Sequence, residues 1–173
     1  AERILAAVGA GALALGIALA LAPGARTRVA AWLVDGPRWG APAGATRARV
    51  ARVVDGDTLE LVDGTVVRLL GIDTPETRHP DMAGPQPLGA AAAARLAALV
   101  GGRTVALEAD AAPIDAYGRQ LRHVWLGRTL VAERMLREGL GYALLIPPND
   151  RHAARLHAAA DAARAAGAGV WGL

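Results

Sequence analysis

The stretch "RLLGIDTPET", residues 68 to 77, brings Arg68, Asp73, Thr74 and Glu76 within nine positions of one another. Two further polar clusters stand out: Asp55-Gly56-Asp57-Thr58, and Asp115 with Tyr117, Gly118 and Arg119. Asp63-Gly64 is a favoured tight hairpin turn. With that turn at the centre, paired positions sum to about 127, so Asp57 faces a position near 70. Asp57 and Asp73 then share the open end of one hairpin. Two carboxylates and the Thr74 carbonyl make an oxygen-only donor set, which suits a hard cation such as Ca²⁺. The chain has no cysteine and no close histidine pair, which argues against zinc.

An arginine beside such a site makes most sense when the substrate is an anion. A phosphodiester under attack gains negative charge, and guanidinium groups donate paired hydrogen bonds to phosphate oxygens. A metal adds Lewis-acid stabilisation. A carboxylate that is not a ligand can orient or deprotonate the attacking water. Arg68 and Arg119 are the candidates for the clamp and Glu76 for the base. Each residue also has a plainer reading. Asp55-Gly56 reads as a turn, Asp57 and Asp73 as turn caps, and Arg68 as a salt-bridge partner of Glu76. His79, His123, His152 and His157 read as solvated or structural. Glu133 and Arg137 make a helical i,i+4 pair, and Trp125 and Trp171 read as core.

The elements that must position these groups begin near Thr46. "RARVARVVDG" alternates and is rich in valine, as a strand does. "DTLELVDGTVVRLLGI" reads as two strands joined at Asp63-Gly64. A loop, "DTPETRHPDMAGPQP", precedes a helix over "LGAAAAARLAALVGG" that glycine ends. "RTVALEAD" and "RQLRHVWL" read as two more strands. "TLVAERMLREGLG" reads as a helix capped by Thr129, "YALLI" as a short extended piece, and "NDRHAARLHAAADAARAAGAG" as a helix capped by Asn149 or Asp150. Five strands with a helix between the third and fourth follow the order of an OB barrel. The expected fold class is α+β: a five-stranded OB-fold β-barrel with three helices, preceded by one transmembrane helix.

That last element is residues 4–22, "ILAAVGAGALALGIALALA", which carries no charge. As a helix it is roughly 28 Å long, about one hydrocarbon core. "ALA" at 20 also fits a cleaved signal peptide; the reading favoured is a signal anchor over 1–22. Residues 23–46 read as a Gly/Pro-rich linker in which Trp32 and Trp39 suit a membrane interface. The folded domain is expected over 47–173. All 19 basic residues are arginine, against 16 acidic ones. Four of the basic and two of the acidic residues precede position 46, which leaves a net charge of +1 from there on. Composition therefore argues against a strongly basic nucleic-acid-binding domain. The lack of cysteine excludes disulfides and thiolate metal sites.

"VVDGDTLEL", "VRLLGIDTPET", "DAYGRQL" and the closing "IPPNDRHAARL…GVWGL" together resemble the staphylococcal nuclease (thermonuclease) family, in order from about Arg49 to Trp171. The resemblance implies an OB-fold, Ca²⁺-dependent phosphodiesterase acting on single-stranded DNA or RNA. By position it implies Asp57, Asp73 and Thr74 as metal ligands, Arg68 and Arg119 as phosphate-binding arginines, and Glu76 in the water-activating role. It implies nucleotide contacts for Tyr117, and Tyr142 is the one aromatic residue left where the family places stacking tyrosines. There the chain has Leu144, Leu145 and Ile146 instead. The loop after Glu76 carries Asp81 and few positive charges where the family is lysine-rich. Both departures weaken substrate binding and spare the chemical constellation. The reading is a nuclease anchored in the lipid bilayer, its domain on the extracytoplasmic side. The alternative is a nuclease-like structural or interaction subunit of a larger membrane protein complex.

Overall fold

A computed structural model describes residues 42–77 and 86–173. The segment 4–22, most of the linker, His79 and Asp81 lie outside the described residues. Among the described residues no helix is long and apolar enough to cross a membrane.

Strands β1 (Thr46–Asp55), β2 (Thr58–Leu61) and β3 (Val66–Leu69) form an antiparallel meander. Helix α1 (Gly89–Val100) leads to β4 (Thr104–Ile114) and β5 (Gln120–Leu126), and a two-residue strand β6 (Thr129–Leu130) follows. The order is β3-β2-β1-β4-β5-β6, and a parallel β3–β5 pairing closes the first five strands into a barrel. Helices α2 (Val131–Arg137) and α3 (Ala153–Ala165) and a 3₁₀ turn (Gly169–Trp171) complete the domain.

Periodicity explains which faces are inside. The buried residues of α1 are Gly89, Ala92, Leu96 and Val100, and those of α3 are Leu156, Ala159, Ala160 and Ala163. Both sets keep the three- and four-residue spacing of one helical stripe. They cover a barrel interior built from Val50, Leu59, Val67, Leu69, Val105, Leu107 and Val124, with Met135 and Leu136 from α2.

Four local expectations change. The β2–β3 connection is a three-residue loop rather than a two-residue turn. Gly64 takes φ +85°, which L side chains rarely adopt, and the Asp63 carboxylate accepts a hydrogen bond from the Thr65 amide at 2.9 Å. The added loop residue makes partners sum to 126, as in Thr58 with Arg68. Thr129 does not cap a helix. With Leu130 it pairs back onto β5, because Gly127-Arg128 closes a two-residue hairpin. Neither Asn149 nor Asp150 caps α3 through its side chain. The Asn149 amide instead accepts from Ala112 N at 2.7 Å and donates to Ala112 O at 2.8 Å. The extended piece after α2 makes one bridge, Tyr142 with Asp73.

Gly56 lies at the tightest point beneath the future site. A Cβ there would meet Thr74 Oγ1 at 2.5 Å and the Ala92 Cβ at 2.7 Å. Overpacking of this kind costs about 1–3 kcal/mol. Gly56→Ala is therefore expected to lower the urea unfolding free energy by that amount, with an unchanged denaturant slope.

Candidate active site

The hairpin β2–β3 and the chain after it deliver the first group of residues. Asp57 precedes β2 and Arg68 lies in β3, where it pairs with Thr58. The chain then turns at Gly71, whose φ of +82° and close approach to Leu156 exclude a side chain. That turn returns Ile72, Asp73 and Thr74 to the same end of the hairpin. The Arg68 guanidinium collects them. Its Nη1 donates to the carbonyls of Ile72 (2.7 Å) and Leu69 (3.1 Å). Its Nη2 lies 2.8 Å from Asp73 Oδ1 and 3.1 Å from Asp57 Oδ2. Those two distances confine the carboxylate oxygens to within about 6 Å of each other. The expected Arg68–Glu76 salt bridge is not what forms; Arg68 pairs with the two aspartates.

Asp57 is the more buried partner. Its Oδ2 accepts from Thr74 N and Thr74 Oγ1, each at 3.1 Å, and its Oδ1 accepts from Thr58 Oγ1 at 2.9 Å. Asp73 is half exposed, and loss of solvent, more than the opposing Arg68 charge can offset, raises its pKa. The donors here are all oxygen, and two carboxylates already share one positive nitrogen. That chemistry fits a hard cation held by Asp57, Asp73 and the Thr74 carbonyl. Asp57 Oδ2 must give up part of its present bonding to serve. Among the described residues no group of three or more His, Asp or Glu side chains is arranged to hold a metal.

Glu76 stands on the loop beside this pair. Its amide donates to Gln86 Oε1 at 2.8 Å, and its carbonyl accepts from the Gln86 amide at 3.0 Å. Gln86, three residues before α1, thus fixes the backbone at Glu76. The Glu76 carboxyl is hydrogen-bonded to Asp55, and this bond raises its pKa to about 7, helped by burial and by the charges of Asp55, Asp57 and Asp73. Asp55 is therefore part of the site, and its Oδ1 also accepts from Gly56 N at 2.8 Å. The spacing Asp55-Gly56-Asp57 carried that signal, but it reads equally as a turn.

The parallel β3–β5 pairing supplies the second arginine. Arg68 pairs with Leu121, so Arg119 stands just before β5 on the same barrel edge. Asp115 holds it, accepting Arg119 Nε at 2.7 Å and Arg119 N at 2.9 Å. Burial works upward on the Asp115 carboxyl, but the Arg119 side chain and the Arg119 and Tyr117 amides outweigh it and keep the pKa low. Tyr117 is 86% exposed, and the Arg119 guanidinium carbon lies 5.5 Å from its ring centre. Arg68, Arg119, Tyr117, Leu121, Leu144 and Ile146 line one cavity of about 410 Å³. Arg68 is the residue common to the cavity and the carboxylate pair. Tyr142 is not among the lining residues: its ring packs against Trp171, with centres 5.2 Å apart. Its backbone instead pairs with Asp73, N to O at 2.7 and 2.9 Å.

A closed five-stranded barrel with two arginines and a carboxylate cluster at one edge presents a class of site with the donors to hold a phosphate ester. Residues 66–172 match the family described as "Staphylococcal nuclease homologue". The chain is 39% identical over 125 residues to a thermonuclease of Staphylococcus intermedius, covering 70% of this chain and 74% of that protein. It is 36% identical over 126 residues to a thermonuclease of Staphylococcus hyicus, covering 71% and 74%. It is also 37% identical over 106 residues to the endonuclease YncB of Bacillus subtilis, covering 58% and 50%. The chain belongs to the staphylococcal nuclease family.

The Asp55–Glu76 contact generates a sign. A carboxyl whose folded pKa of about 7 lies above its ordinary 4.5 binds more protons in the native state between those values. Its stabilising contribution is present at low pH and is lost as pH rises through that window. Asp55→Asn removes the neighbouring charge, so Glu76 is expected to titrate closer to an ordinary glutamate. Side-chain carboxyl NMR titration in chelator checks this, and an unmoved Glu76 would show that Asp55 is not the cause.

Proposed function

We propose that this domain is a Ca²⁺-dependent nuclease that hydrolyses phosphodiester bonds of single-stranded DNA or RNA. The observation that carries the reading is the double attachment of Arg68, to the aspartate pair on one side and to the cavity shared with Arg119 on the other. The thermonuclease and endonuclease relatives support it.

In this reading Arg68 and Arg119 hold the non-bridging oxygens of the scissile phosphate and oppose the charge that grows there. Glu76 orients a water and takes its proton as the water oxygen bonds to phosphorus; the ester P–O bond opposite breaks, and its electron pair leaves with the departing oxygen. Glu76 must be ionised for this, and its raised pKa leaves it poised near neutrality. Asp57, Asp73 and the Thr74 carbonyl would hold a calcium ion, which would supply Lewis-acid charge and favour ionised Glu76. Tyr117, exposed at the cavity, contacts the nucleotide. Tyr142 supports Asp73 through its backbone, and Leu144 and Ile146 offer the base an aliphatic surface.

The apolar segment 4–22 supports a single-pass bilayer anchor. Its test is partition of the full chain into detergent.

The decisive assay is hydrolysis of a short single-stranded oligonucleotide with Ca²⁺ and with chelator. Arg119→Ala and Arg68→Ala are each expected to lower kcat by about 10²–10³-fold, and Glu76→Gln to lower it as well. Leu144→Tyr adds a stacking surface worth about 1–3 kcal/mol, so KM should fall by about one to two orders of magnitude with little change in kcat. Wild-type rates in all three loss variants would assign any activity to a contaminant. The reading as an interaction subunit of a membrane complex would then replace this one.

A further inference from the structure

The far end of β5 carries a second concentration of arginine. Gly127-Arg128 forms the tip of the β5–β6 hairpin, and Arg128 is exposed there. It has no hydrogen bond or ion pair with any side chain among the described residues. Beneath it, Arg128, Thr129, Glu133, Arg134, Arg137 and Arg155 line a concavity of about 190 Å³. Four guanidinium groups thus face one carboxylate. Both oxygens of that carboxylate are taken: Glu133 Oε1 by Arg137 at 3.1 Å and Oε2 by Arg155 at 2.5 Å. Arg134 reaches out of the group to Glu138 at 2.5 Å, and Glu138 is also held by Arg95 at 2.6 Å. Each guanidinium has five N–H donors, so most donors in the concavity remain uncommitted.

A local excess of positive charge with spare donors and a concave shape selects an anion with several acceptor oxygens. Phosphate is such an anion, and paired arginine donors match its geometry. We propose that this concavity is a second binding site, holding a backbone phosphate of a nucleic-acid strand whose scissile bond lies in the cavity at Arg68 and Arg119. The proposal rests on the nuclease reading for its choice of occupant. The two sites flank β5, a strand of seven residues. At about 3.3 Å per residue that separation is roughly 23 Å. A stacked strand advances about 3.4 Å per nucleotide, so about seven stacked nucleotides, or roughly half as many in an extended strand, span both sites, and a dinucleotide does not. The site therefore distinguishes polymeric substrate from short fragments, and it adds affinity without taking part in the chemistry.

Arg128 is the residue to change, because its removal breaks no hydrogen bond or ion pair within the described fold. Binding of a labelled 20-nucleotide single strand to the full chain, measured by anisotropy in chelator, should weaken about three- to tenfold in Arg128→Glu. The slope of log affinity against log salt should become shallower by about 0.7 for each phosphate that is no longer neutralised. Hydrolysis of a dinucleotide with Ca²⁺ should be unchanged, because that substrate cannot reach the hairpin tip. Equal affinity and equal salt slope in wild type and Arg128→Glu would overturn the proposal, and so would a wild type that does not bind the strand. Anionic vesicles that bind the wild type and not the variant, with strand binding unaltered, would also overturn it and assign the concavity to a lipid surface. Failure of dinucleotide hydrolysis together with Arg128-sensitive strand binding would overturn the nuclease reading and leave this site standing.

Discussion

One guanidinium group sets the terms for the whole site. Arg68 is almost entirely enclosed, its side chain 13% exposed, and it holds two aspartates and two backbone carbonyls at once. Removing charges from water costs several kcal/mol each, and only close pairing with further hydrogen bonds offsets that. The chain around Arg68 is arranged to provide the pairing. Strand β3 fixes its root, the turn at Gly71 returns Ile72 and Asp73 to it, and Tyr142 ties the Asp73 backbone in place. A cation or phosphate bound as proposed would not enter a bare cleft. It would exchange with interactions already made, and its affinity would be the difference between the new ones and the old.

The charge balance explains why a proton is held nearby. Asp55, Asp57, Asp73 and Glu76 interact with one another, and Arg68 is the one cation paired with any of them among the described residues. With all four ionised the cluster carries three uncompensated negative charges. A proton on Glu76, hydrogen-bonded to Asp55, removes one of them, and that bond, burial and the neighbouring charges raise Glu76 to about 7. In the proposed function, base strength at Glu76 and affinity for a divalent cation would both express this one excess of negative charge.

The sequence showed the chemistry more readily than the geometry that tunes it. Asp57, Arg68, Asp73 and Glu76 were visible as a constellation because each type is costly to bury unless it has a partner or a task. The barrel was legible from the alternation of β1, from the glycine and turn signals that bound the other elements, and from strand order. What stayed hidden were pairings across long sequence separations. Nothing local says that Asp55 meets Glu76, that Gln86 clamps the Glu76 backbone, or that Asn149 leaves helix capping to hold Ala112. Thr129 misled for a similar reason. Its type suits a cap, but the Gly127-Arg128 turn commits it to pair with Leu126 first.

A second polar cluster shows what separates a working site from a structural one. Glu108 accepts from Trp125 Nε1 at 2.9 Å and contacts His152 Nε2 at 2.8 Å, while Asp110 accepts from the Arg151 amide at 3.1 Å and lies 3.2 Å from His123 Nε2. Here the partners satisfy the carboxylates, and both pKa values fall despite burial. Burial, for its part, lowers the pKa of His123 and favours the neutral ring. This network joins β4 and β5 to the chain entering α3, directly after the segment whose Ile146 lines the cavity. Its two carboxylates are taken up by Arg151, His152, His123 and Trp125. The cluster around Arg68 has a surplus of negative charge, it has a half-exposed carboxylate in Asp73, and it touches an open cavity. The paired carboxylates of β4 thus hold the chain that leads out of the cavity, while the uncompensated charge stays with the cluster around Arg68.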